Sequence, residues 1–85
     1  MTKAVFLKIA NMVFDIGESA DHFVNLDFDT NNTYLQLYVF NKTEDGGTSG
    51  IADNIVAYEL NEEVVAFISR WTETIRKERV LNGTH

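Results

Sequence analysis

The sequence predicts an α+β domain: a three-stranded antiparallel sheet with an N-terminal and a C-terminal helix packed on one face, in the order αβββα. Three observations predict it. Apolar residues recur at helical spacing near both ends of the chain, they alternate with a period of two in three short runs between, and clusters of Asp, Asn and Gly separate those runs. The 85 residues fit one domain over positions 1–85, and no proline, repeat or low-complexity tract marks a linker. With no cysteine to add staples, a domain this small depends on its apolar core, and a hydrophobic content of 45% is enough to supply one.

The first helix is expected over residues 3–16. Val5, Phe6, Ile9, Met12, Val13 and Ile16 share one side, and Gly17 supplies a stop. Leu7, Ala10 and Phe14 form a second, narrower apolar stripe, which leaves Ala4, Lys8, Asn11 and Asp15 as the clear solvent strip. So apolar a helix is expected to be sandwiched or partly used for binding. The first strand, residues 22–28, sets Val24, Leu26 and Phe28 against Phe23, Asn25 and Asp27, and the turn chemistry of DTNN follows at residues 29–32. The second strand is TYLQLYVF, residues 33–40. The Gly-, Ser- and acid-rich stretch 41–54 reads as a long mobile connection, and residues 55–60 read as the third strand, with Val56, Tyr58 and Leu60 opposite Ile55, Ala57 and Glu59. Asn61 caps the second helix, Glu62 and Glu63 suit its positive end, and Val64, Phe67, Ile68, Trp71 and Ile75 form its apolar stripe. Arg76, Lys77 and Arg79 sit toward its negative end, Glu73 precedes Lys77 by four residues, and Gly83 is the expected stop.

The second strand poses the functional question. Its aliphatic face, Leu35, Leu37 and Val39, belongs under the helices; its other face carries Tyr34, Gln36, Tyr38 and Phe40. If both helices cover the aliphatic side, the tyrosine side faces outward together with Phe23, Asn25 and Asp27 from the first strand and Ile55, Ala57 and Glu59 from the third. A tyrosine there offers a rigid contact surface with a polar tip, and burying one such ring stabilises a complex by roughly 1.5 to 3 kcal/mol. A solvated antiparallel face without function bears similar residues, and a symmetric dimer is a third way to use it.

Charge narrows the classes further. The net charge is −6, and residues 15–63 hold eleven carboxylates against the single base Lys42. Direct nucleic-acid binding needs the opposite sign, because Lys and Arg must displace the counterions of phosphate. An acidic surface attracts basic partners instead. The catalytic and metal classes find little support: there is no cysteine, and the one internal histidine, His22, reads as a surface residue at a strand start. DFDTN at residues 27–31 imitates the first calcium-loop ligands, but Asn32 stands where glycine is needed and Tyr38 where glutamate is needed. GGTSG lacks the lysine and spacing of a phosphate loop. No metal, no cofactor and no enzymatic activity are expected. The stretch 4–16 is too short and too polar to cross a membrane, and the protein reads as cytosolic.

The element order is that of double-stranded-RNA-binding domains, but their basic cluster at the second helix start is replaced here by Asn61, Glu62 and Glu63. In charge, length and order, and in the segment NEEVVAFISRW (residues 61–71), the chain resembles the small acidic phage anti-CRISPR proteins that block a Cas nuclease. That resemblance implies a DNA-mimic inhibitor located in the host cytosol. In it Asp27, Asp29, Glu44, Asp45 and Glu59 stand in for phosphates, while Phe23, Tyr34, Gln36 and Tyr38 supply the contact surface. The expected partner is a basic protein, a Cas nuclease or another nuclease. An immunity protein or antitoxin masking a nuclease uses the same physics; a homo-oligomeric phage structural or accessory protein, associating through Leu7, Phe14 and the sheet face, is the different class.

Overall fold

The computed structural model describes residues 1–29, 31 and 33–81. Its elements are α1 (Lys3–Ile16), β1 (His22–Phe28), β2 (Leu35–Lys42), β3 (Thr48–Ala57) and α2 (Glu62–Leu81), the expected αβββα order. The strands form one antiparallel sheet in the order β1-β2-β3. β2, bounded on both sides, is the centre of the molecule.

Local chemistry sets the helix ends. Thr2 caps α1 by accepting a hydrogen bond at Oγ1 from the Val5 amide at 3.2 Å. Gly17 ends it at φ 74°, ψ −152°, a backbone region essentially reserved for glycine. Asn61 caps α2 through its Oδ1, 3.0 Å from the Val64 amide, with Glu62 and Glu63 in the first turn as expected. Glu73 accepts from Arg76 at 2.7 Å and lies 3.7 Å from Lys77. The Gly83 stop lies outside the described residues.

Both helices cover the same side of the sheet. Ile9 and Ile16 from α1, Leu35, Leu37 and Val39 from β2, Ala57 from β3 and Val64, Phe67, Ile68 and Ile75 from α2 make one buried cluster, none more than 3% exposed. Val5, Phe6, Met12, Val13, Val24, Leu26, Phe28 and Ile55 pack around it. α1 starts beside the end of β1, where the Phe6 and Phe28 rings lie 4.6 Å apart, and finishes beside its beginning, where Glu18 bridges to Phe23. α2 starts just after Ala57 and reaches His22 with Glu78. The two helices therefore run in the same direction, each antiparallel to the strand nearest it.

The structure corrects three expectations. The segment 41–54 is not a mobile connection: β2 continues to Lys42, β3 begins at Thr48, and the turn between them is tight. The Thr43 amide donates to the Gly47 carbonyl at 2.8 Å, the Gly46 amide donates to the Thr43 carbonyl at 3.0 Å, and Gly46 takes a φ of 89°. Turn composition had concealed strand continuation, because Gly50 at φ 133° and the register shifts opposite Val39/Phe40 and Asn41/Lys42 let β3 pair through irregularities. Second, β3 faces the other way. Ile55 and Ala57 point to the helices and Val56 and Tyr58 point away, since Leu37 pairs with Ile55 and Gln36 with Val56. The bulkier set looked like the core set, but the strand ends at Ala57 and residues 58–60 bend, so Leu60 joins the core from outside the alternation. Third, β2 begins at Leu35, leaving Tyr34 just before it.

Candidate functional site: the aromatic sheet face

On the side of the sheet turned from the helices five aromatic residues form two groups, one of three from β1 and β2 and one of two that flank β2 and β3. Phe23 stands opposite Phe40, and their rings stack at 5.3 Å with 23° between planes; Tyr38 adds its ring 5.9 Å from that of Phe40. At the other end Tyr34 meets Tyr58 at 5.4 Å. The Tyr38 hydroxyl donates to Oε1 of Gln36 at 2.6 Å, which fixes the polar tip of one ring and the orientation of the amide between the groups. Ile51, Val56 and Tyr58, 50%, 40% and 63% exposed, extend the apolar surface across β3. Val56 and Tyr58 escaped the sequence reading because it assigned β3 the opposite facing, and Ile51 because it fell in the stretch read as a mobile connection. The Phe40–Ile51 pairing, with the irregularity beside it, could be found only from register.

The carboxylates are not gathered in one place. Asp27 lies on this face, exposed and opposite Gln36. Asp29 and Glu59 are exposed at that same end of the sheet, in the turns after β1 and after β3. Glu59 is thus not a strand residue of the face, contrary to expectation, because β3 has already ended. Asp29 Oδ1 accepts from the Asn31 amide at 2.9 Å, the Asx-type bond its turn position favours. Glu44 and Asp45 sit in the β2–β3 turn at the opposite end, about 20 Å away along seven-residue strands. Asp45 is engaged in that turn: Thr43 Oγ1 donates to its Oδ1, as does the Gly47 amide at 3.1 Å, and the hydroxyl above all holds its carboxyl below the ordinary 3.8. Lys42 is the base nearest the rings, its ammonium 6.0 Å from the Phe23 centroid and 2.5 Å from Glu18, whose pKa it lowers.

Two polar ties on the helix side also escaped sequence reasoning, since their partners lie far apart in the chain. His22 is not a free surface residue. Its Nδ1 lies 2.7 Å from Glu78 Oε2, with 17% of each side chain exposed, and its ring is 5.1 Å from Trp71. Ser19, 5% exposed, donates to Glu78 Oε1 at 2.7 Å and accepts from the Asp21 and His22 amides. Glu78 therefore stands between serine and histidine, which is not the nucleophile–base–acid order of a hydrolytic relay; the geometry ties the end of α2 to the start of β1. Asp53 on β3 accepts from Trp71 Nε1 at 2.9 Å and from Arg70 at 2.8 Å. The indole bond, then the guanidinium, holds its carboxyl below 3.8 against the opposing effect of burial. Among the described residues no cluster of His, Asp or Glu is arranged to hold a metal ion, and no helix is long and apolar enough to cross a membrane.

Geometry alone defines the class: a small αβββα domain whose helices share one sheet face and whose other face is aromatic. No protein-family model, curated protein or solved structure matches the chain.

Proposed function

We propose that this chain is a small acidic protein–protein interaction module, an inhibitor that covers a basic, nucleic-acid-binding surface of a partner protein, as the anti-CRISPR resemblance implies. The observation that carries the reading is the aromatic face itself: Phe23, Tyr34, Tyr38, Phe40 and Tyr58 stand on the side away from both helices, in a chain of net charge −6. Rings of this kind concentrate binding energy at the centre of an interface. Asp27 within the face, and the carboxylates of the turns at both ends, speed the approach of a positive surface and fix its register more than they add affinity.

Capture from native host lysate, followed by calorimetry with the captured protein, tests this. Tyr34→Ala combined with Tyr38→Ala is expected to lower affinity at least a hundredfold, about 3 kcal/mol, while circular dichroism and the melting midpoint stay close to wild type. Affinity of the wild-type protein is expected to fall steeply as salt rises, and nucleic acid is expected to compete. An unfolded double variant would place the rings in the core. Salt-insensitive binding without nucleic-acid competition would remove the basic-surface reading.

A further inference from the structure

Two places in this molecule assemble the same three groups. On α2, the Arg70 guanidinium lies 5.5 Å from the centre of the Phe67 ring and 2.8 Å from Asp53. Near the start of β1, the Lys42 ammonium lies 6.0 Å from the Phe23 centroid and 2.5 Å from Glu18. Each is a ring, a cation and a carboxylate, in which the negative face of the ring and the anion share one positive charge. The far end of the aromatic face repeats two of the three groups. Tyr34 precedes Leu35, whose partners are Phe28 and Ala57, so Asp29 and Tyr58 are the next residues out on its two sides. The rings of Tyr34 and Tyr58 lie 5.4 Å apart with 51° between planes, and a tilted pair leaves more ring face open than the Phe23–Phe40 stack at 23°. Asp27, exposed on the same face, is a diagonal step of roughly 7–8 Å from Tyr34. Glu59 follows Tyr58 and is exposed as well.

No base of the chain completes this third group. Among the described residues the ion pairs use Glu18, Asp53, Glu73 and Glu78, and none uses Asp27, Asp29 or Glu59. The N-terminal ammonium at this end is bonded to the Thr33 carbonyl, 2.9 Å away. We infer that Tyr34 and Tyr58, with Asp27 and Asp29, clamp one arginine side chain of the partner protein. The inference rests on the proposed function for the partner, a basic protein, whereas the residue type follows from the site itself. A guanidinium is flat and more weakly hydrated than an ammonium, so it lies on a tyrosine ring and still sends two N–H groups edgewise to one carboxylate. A lysine ammonium is a compact charge that holds its water more tightly and offers no such fork. Val56, exposed and two residues before Tyr58 on the same face, receives the methylene stem of the arginine. The exposed carboxylates around the rings oppose a phosphate-bearing ligand and give a neutral planar one no advantage.

The probe is acetyl-Gly-Arg-Gly-amide, titrated into the full chain at low salt and followed by nuclear magnetic resonance of the tyrosine rings. It is expected to shift the Tyr34 and Tyr58 ring signals and to saturate between about 1 and 50 mM, the range of a contact made by one side chain. The lysine analogue is expected to bind at least threefold more weakly. The citrulline analogue, which keeps the shape and loses the charge, is expected to bind at least tenfold more weakly. Tyr58→Leu, at an exposed position, is expected to weaken the arginine probe at least fivefold with unchanged circular dichroism, and Asp27→Asn combined with Asp29→Asn to weaken it to a similar degree. Absence of ring shifts at about 100 mM probe overturns the inference. So does equal binding of the citrulline peptide, or arginine binding that survives Tyr58→Leu. The two readings fail separately. A chain that captures no basic protein yet distinguishes arginine from citrulline defeats the inhibitor reading and keeps the clamp, while a basic partner bound at full affinity by Tyr58→Leu defeats the clamp and keeps the inhibitor.

Discussion

Gly17 shows how much one residue settles in this chain. Its φ of 74° with ψ of −152° turns the backbone out of α1, and a β-carbon there would lie 2.6 Å from an Arg79 guanidinium nitrogen, so the arginine end would also have to shift. Gly17→Ala is expected to cost about 1–3 kcal/mol, read as a lower denaturant midpoint with an unchanged slope. Phe14→Ala, two-fifths of a turn from the nearest buried position of the same helix, is expected to leave monomer stability within about 0.5 kcal/mol, because the side chain stands in water. Gly17 was legible as a stop from its identity and place. The approach of Arg79 was not, since 62 positions separate the two residues and no local pattern relates them.

At the scale of elements, caps and periods were readable and strand limits were not. α1 and β1 have the boundaries their periodicity predicts, because alternation or helical spacing there coincides with turn residues on both sides. α2 likewise begins where Asn61 and the two glutamates place it. Asn61→Ala is expected to destabilise by about 1 kcal/mol, measured by thermal or urea unfolding, since the Val64 amide loses its partner. β2 carries more: Leu37 is fully buried at the centre of the sheet, and Leu37→Ala is expected to cost about 2–5 kcal/mol in the same measurement. β3 was misread because glycine, serine and acidic residues disfavour a strand locally, whereas pairing with an already formed β2 overrides that preference. Once its true end was missed, its facing was missed too, and with it the contribution of Val56 and Tyr58 to the candidate site.

For the whole molecule, the ties that lock α2 across the sheet respond to pH in a defined sense. The Asp53 carboxyl is held below its unfolded value of 3.8 by Trp71 and then Arg70. A lowered folded-state pKa means that the stabilisation is fully present above about pH 4 and is lost as pH falls through the folded value. Asp53→Asn is expected to lower the melting midpoint near neutral pH and to flatten its decline below pH 4, as followed by melting in a series of acid buffers.

The sequence by itself determined the αβββα order, the two helix faces, the aliphatic face of β2 and the acidity of the middle of the chain. These depend on periods of two and 3.6 and on composition, which are local or additive. Tertiary structure alone decided that β3 turns Tyr58 outward to meet Tyr34 and that Glu78 closes over Ser19 and His22. It likewise decided that the carboxylates divide between the two ends of the sheet. Each of these depends on register or on contacts between distant residues, and a one-residue change of register reverses every side chain of a strand while leaving its local pattern the same.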